Sequence, residues 1–157
     1  MNANAVATTR TWLGFELAGQ NYAVPLADVN EIIRPEPPTP VPGAPDDVLG
    51  IINLRGSIVT VLDGCRRLGL AAANAAPDPN QRLVIFRGES GHVGMRIDAL
   101  QDVLDLDTRE MLPPLPGRAL RVDDPVLGSL YHDHAFIALL DTGKLCRPRG
   151  AVLGAAA

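Results

Sequence analysis

The side chains best suited to chemistry lie late in the chain. His132-Asp133-His134 is its one cluster of metal-ligand type. Two imidazoles and a carboxylate suit zinc, but a metal site needs a further ligand close by, and no spacing supplies one. Cys65 with a distant histidine could imitate a thiol nucleophile. Neither a nucleophile elbow nor an oxyanion pattern accompanies it. GxGxxG, P-loop, HExxH and zinc-finger spacings are missing. A small metal or thiol enzyme using His132, His134 and Cys65 is thus the weaker reading. No catalytic or metal-binding residue is expected. Asn53, Arg55 and Gly56 are the more unusual group. An arginine beside a turn glycine is often a solvated cation, but here it shares a face with Asn53 and aliphatic residues. Mixed faces of that kind are what protein partners dock on.

Residues 48–70, VLGIINLRGSIVTVLDGCRRLGL, must position that group. Apolar runs on either side of Arg55-Gly56-Ser57 read as two strands of a hairpin. Gly56-Ser57 fits a two-residue type II′ loop, which needs positive φ at its first central residue. That loop sets Leu54 opposite Val59, Asn53 opposite Thr60 and Ile52 opposite Val61. One face is then wholly apolar (Ile52, Leu54, Val59, Val61). The other, with Ile51, Asn53, Arg55, Ile58, Thr60 and Leu62, is mixed. Asp63 stands where a helix N-cap belongs and Gly69 where the helix should stop.

This stretch recurs. Placing Val126-Leu127-Gly128 under Val48-Leu49-Gly50 gives an offset of 126 − 48 = 78. Without a gap, Ile52 meets Leu130, Val59 meets Ile137, Val61 meets Leu139 and Asp63 meets Asp141. A weaker echo, at an offset of 94 − 23 = 71, sets Ala23 through Ile33 against Gly94 through Leu104. Two like halves in the same order imply two like subdomains.

Around these repeats the chain reads as short strands and turns. Its 157 residues can bury a full core, and 46% hydrophobic against 20% charged residues is globular composition. A net charge of −4 and 4% aromatic residues argue against nucleic acid as the main partner. Two cysteines without a CxxC, and no secretory leader or apolar run long enough to span a bilayer, imply a cytoplasmic chain with reduced thiols. Residues 12–17 and 22–24 should pair as a hairpin. Pro25 can open a helix whose stripe, Leu26, Val29 and Ile33, would face inward. Six prolines between positions 35 and 45 make a stiff surface connector rather than a ligand for a proline-binding domain. Residues 71–81 read as the linker between halves. Residues 83–86 pair with 92–97, residues 100–106 are strand or short helix, and 107–125 form a loop. The fold class is mainly β: two small barrels or packed sheets with short helices.

GIINLRGSIVTVLDGCRRLGL, with AVPLADVNEII before it and VGMRIDALQDVL after it, resembles the signature of the CheW family. These are coupling proteins of bacterial chemotaxis, with a pattern close to GxxNLRGxIxPVxDLRxxLGL. Gly50, Asn53-Leu54-Arg55-Gly56, Ile58, Val61 and Asp63 all fit. The resemblance implies one domain over residues 12–146, with tails at 1–11 and 147–157. Within it lie two five-stranded barrels around a shared apolar core, at about 12–70 and 82–146, with possible strand exchange. It implies a non-enzymatic adaptor without a cofactor. Its partners would be the regulatory domain of the histidine kinase CheA and the cytoplasmic tips of methyl-accepting chemoreceptors. An adaptor of twitching motility or another chemosensory pathway is the alternative. Carried over position by position, the receptor-binding residues are Val29, Glu31, Asn53, Arg55, Gly56, Leu100 and Val103. The kinase surface belongs to the first barrel, with no residue assigned. Thr60, Gly64, Cys65 and His134 depart from the family pattern.

Overall fold

The structure is a computed structural model in which residues 9–70, 78–88, 91–114 and 124–147 are described. Its strands are β1 (Thr9–Leu17), β2 (Gln20–Pro25), β3 (Val29–Ile33), β4 (Val48–Leu54) and β5 (Ser57–Asp63) in the first half. The second half supplies β6 (Arg82–Gly88), β7 (Gly91–Ile97), β8 (Ala99–Asp107), β9 (Val126–His132) and β10 (Ala135–Leu140). One-turn helices α1 (Gly64–Arg67) and α2 (Thr142–Leu145) follow β5 and β10. Asp63 and Asp141 cap them, accepting from the backbone N–H of Cys65 and Lys144 at 3.2 and 3.0 Å. The loop expected over 107–125 contains a single 3-10 turn at Thr108–Glu110, and its residues 115–123 lie outside the described set, as do linker residues 71–77.

The strands form two five-stranded sheets, ordered β8-β1-β2-β10-β9 and β3-β6-β7-β5-β4. Neither sheet closes into the expected barrel, because its outer strands are edges rather than ladder partners. The connectors take up part of that edge instead: Thr39 bridges to Ile51 on β4, and Leu112 to Ser129 on β9. Strands also cross between the ranges 12–70 and 82–146. β3 pairs with β6, and β8 with β1, so each sheet holds two strands of one half and three of the other.

A second correction explains how the chain changes sheets. The helix expected from Leu26 to Ile33 is only a 3-10 turn at Leu26–Asp28, followed by strand β3. Leu26 is exposed rather than inward. Val29, Ile32 and Ile33 are β-branched, and stiffness at χ1 favours the pleated chain that β6 then pairs with.

Alternation along the strands fills three cores. Leu13, Phe15, Leu17, Tyr22, Val24, Val84, Phe86, Met95 and Ile97 meet between the sheets, joined by Cys65 and Leu145 from the helices. The opposite faces fill the inside of each curled sheet: Trp12, Ala23, Leu106, Leu130, Ile137 and Leu139 in one. Ile52, Val59, Val61, Leu83 and Ile85 fill the other. Strands β1, β2 and β6 are therefore buried on both faces, which is why Leu83-Val84-Ile85-Phe86 reads as an unbroken apolar run.

Both repeats hold in register. Ile52 pairs with Val59 and Gly50 with Val61, as Leu130 pairs with Ile137 and Gly128 with Leu139. The weaker echo holds too: Val29 pairs with Phe86 as Leu100 pairs with Phe15.

Candidate protein-interaction site

The central hairpin turns one step earlier than the Gly56-Ser57 loop expected from sequence. Arg55 and Gly56 are its loop residues, at φ 50° and 87°, and Leu54 pairs with Ser57. Two positive φ values in succession belong to the type I′ turn. Asn53 explains the choice: its Oδ1 accepts the backbone N–H of Gly56 at 2.8 Å, tying the loop to the strand end. The register moves by two residues, so both faces keep their expected members. Ile52, Val59 and Val61 are buried, with Leu54 packed against them.

Arg55 donates from its guanidinium to Glu31 Oε1. Glu31 lies on β3 and Arg55 at the end of β4, strands at opposite edges of one sheet. Their ion pair therefore spans the opening that the backbone leaves unpaired. With 69% of the Arg55 side chain exposed, such a pair contributes well under about 1 kcal/mol to folding. It orients two charged groups at the sheet's open seam. Beside them Ile58, the cross-strand neighbour of Asn53, is 60% exposed.

Glu31, Asn53, Arg55 and Gly56 thus come together. Val29 lies on the same edge strand but is half-buried against the core between the sheets. Leu100 and Val103, 37% and 55% exposed, lie on β8 in the other sheet, at positions equivalent to Val29 and Ile32.

Tyr131 and Phe136 escaped the sequence reading. They form an exposed edge-to-face pair on the last hairpin, with ring centroids 5.0 Å apart. The repeat held the signal, since they fall under Asn53 and Ile58. Arg67 gave none. It is buried, and it donates to the carbonyls of Leu145 and Lys144 at 3.1 and 2.6 Å, joining α1 to α2.

The metal and thiol readings find other surroundings. No group of three or more His, Cys, Asp or Glu among the described residues is placed to hold a metal. His134 occupies the turn position of Gly56, at φ 66°. Burial, with Asp98 and Asp63 nearby, pushes the Cys65 thiol up to about 11, and burial pushes Cys146 to about 12. Both shifts disfavour the thiolate that a nucleophile needs. Gly64 has a steric cause: an added Cβ would lie 2.7 Å from the Arg96 carbonyl and 2.9 Å from Leu17.

The family model for the CheW-like domain matches residues 11–148. The chain belongs to the CheW family. A chemotaxis protein CheW of Rhizobium meliloti is 36% identical over 104 residues, an alignment covering 66% of either chain and so just under two thirds of that relative's length. A chemotaxis protein CheW of Klebsiella aerogenes is 30% identical over 135 residues, 85% of this chain and 80% of that one. The crystal structure of scaffolding protein TtCheW from Thermoanaerobacter tengcongensis superposes with a TM-score of 0.78 at 27% identity. It covers 92% of this CheW-family chain and 97% of its own. No helix among the described residues is long and apolar enough to cross a membrane.

Proposed function

We propose that this chain is a non-enzymatic cytoplasmic adaptor of chemotaxis signalling. It couples the tips of methyl-accepting chemoreceptors to the regulatory domain of the histidine kinase CheA. The observation that carries this reading is the family match, which spans residues 11–148 and includes the Asn53–Gly56 turn. Two distinct patches on one small body let modest contacts reinforce each other, because binding one partner raises the effective concentration of the other.

The receptor-facing residues divide by role. Arg55 and Glu31 offer charge at the sheet's seam, while Leu100 and Val103 offer apolar area from β8. Asn53 and Gly56 shape the turn that presents Arg55, and Val29 backs β3 from the core.

Binding of Arg55→Ala to a receptor tip and to the kinase domain, measured separately with a thermal melt alongside, tests this. Folding should change by no more than about 1 kcal/mol, as at most exposed positions. Receptor affinity should fall roughly ten-fold or more, the loss expected of an interface anchor. Kinase affinity should barely move. A strong drop in the melt with equal loss of both affinities would make Arg55 structural and remove the site.

A further inference from the structure

Residues three apart on a regular strand look to opposite faces. Val29 and Ile32 on β3 nevertheless both pack against the core between the sheets. Leu100 and Val103 on β8 share a face too, since they stand across from Phe15 and Leu13, both members of that core. An extra residue in each edge strand makes this possible. Leu100 to Val103 is three steps against two from Phe15 to Leu13, and Val29 to Ile32 is three against two from Phe86 to Val84. The two β-bulges are equivalent under the offset of 71, which sets Asn30 against Gln101. A bulge bends an edge strand and re-aims the side chains beside it. Here those side chains are the receptor-facing ones.

Both bulges are tied down, by different means. Arg87 at the end of β6 donates from Nε to Asn30 Oδ1 and from Nη1 to the Ala27 carbonyl, both at 3.2 Å. Gln101 Nε2 reaches from β8 across β1 to Asn21 Oδ1 on β2, at 2.8 Å. Gly14 on β1 leaves room for the second bulge, because a Cβ there would lie 3.1 Å from the Asp102 carbonyl. Without the extra residue, alternation would place Asp102 beside Leu100 and turn Val103 to the other face. Glu31 would likewise take the face of Val29 and leave Arg55, its ion-pair partner. The bulge therefore decides between an apolar and an acidic surface.

We propose that Arg87 and the Asn21–Gln101 pair are positioning residues of the receptor surface: by holding the bulges they set which side chains β3 and β8 present. This role rests on the receptor assignment above and extends it to residues that act through β3 and β8.

Binding of a chemoreceptor tip fragment and of the kinase regulatory domain to Arg87→Met, Gln101→Met and the double variant, each with a thermal melt and methyl spectra, tests it. Methionine keeps the length of the side chain and removes its N–H donors. Receptor affinity should fall about three-fold in each single variant and about ten-fold in the double, the scale of lost surface hydrogen bonds. Kinase affinity and the thermal midpoint should barely move, since both ties are exposed. The nuclear Overhauser contact between the Leu100 and Val103 methyls should weaken in Gln101→Met and persist in Arg87→Met. Asn21→Asp keeps an acceptor for Gln101 and should bind receptor as the parent does, while Asn21→Ala should match Gln101→Met. Receptor affinity and methyl contacts both unchanged in the double variant would overturn the proposal. So would a lowered midpoint with equal loss of both partners, the mark of a purely structural tie. Arg55→Ala tells the two readings apart. If it costs receptor affinity and the double variant costs none, the positioning role falls alone; if it costs none, the receptor assignment falls and the positioning role with it.

Discussion

Three two-residue hairpin tips among the described residues, Ala18-Gly19, Arg55-Gly56 and Asp133-His134, turn their chain through positive φ, yet they do so with different residues. Gly19 and Gly56 take the second position at the first two, and at the last His134 takes it at φ 66°. A side chain in that region costs roughly 1–2 kcal/mol relative to glycine, since Cβ crowds the carbonyl. His134→Gly should therefore stabilise the fold by about 1 kcal/mol, read as a raised midpoint in urea with an unchanged slope. A lowered midpoint would mean that the imidazole makes a contact worth more than the strain. At this scale the residue types of the site were legible, and their roles were not. Asn53 can bond its own turn or a partner, and the same carboxamide serves both. Only the 2.8 Å bond to Gly56 shows that it ties the loop. Glu31 and Arg55 stand 24 positions apart, and nothing in their spacing announces that they meet.

The hairpin with its capped helix is the unit used twice, and its register was plain from an ungapped offset because alternation ties each residue to one face. The loop was misplaced by one step, which the faces do not feel. Local pattern misled at Leu26–Ile33, where apolar spacing of helical type met β-branched residues and an unpaired edge on β6. The strand won because tertiary pairing overrides a short periodic signal. Within the unit, one glycine is needed by its neighbour. Carbonyls of Thr39 and Leu112 press on Gly50 and Gly128, so closely that a Cβ at either place would overlap them. Each contact lies beside the bridge that covers a strand edge, Thr39 to Ile51 and Leu112 to Ser129. Gly128→Ala should force that bridge apart and cost about 2 kcal/mol or more, on the scale of other overpacked sites. Hydrogen exchange at the Leu112 and Ser129 amides should quicken in the variant. Stability and exchange both unchanged would show that the connector shifts freely and covers no edge.

For the whole molecule, the repeat showed that there are two halves but not how they combine. Offsets of 78 and 71 fit two separate barrels as well as an exchanged pair, because pairing partners are chosen by packing across the chain. The exchange leaves each half without a sheet of its own. Residues 9–70 hold β1 and β2 but lack β8, β9 and β10 beside them, and the second half is short in the same way. The largest core lies between the two sheets and takes residues from both halves. Arg67 adds a polar tie, its buried guanidinium bonded to carbonyls at the end of α2. Fragments 1–74 and 75–157 should therefore each lack a cooperative thermal transition, since neither buries its sheet faces alone. Mixed or co-expressed, they should assemble as a one-to-one complex with a single transition. Arg67→Ala should then weaken the assembly by about 2–4 kcal/mol, because it strips two bonds from buried carbonyls. Calorimetry of each fragment and of the mixture reads both effects. A cooperative transition in 1–74 alone would show that the first half carries a complete fold, and the exchanged strands would then be docking elements rather than the basis of the domain.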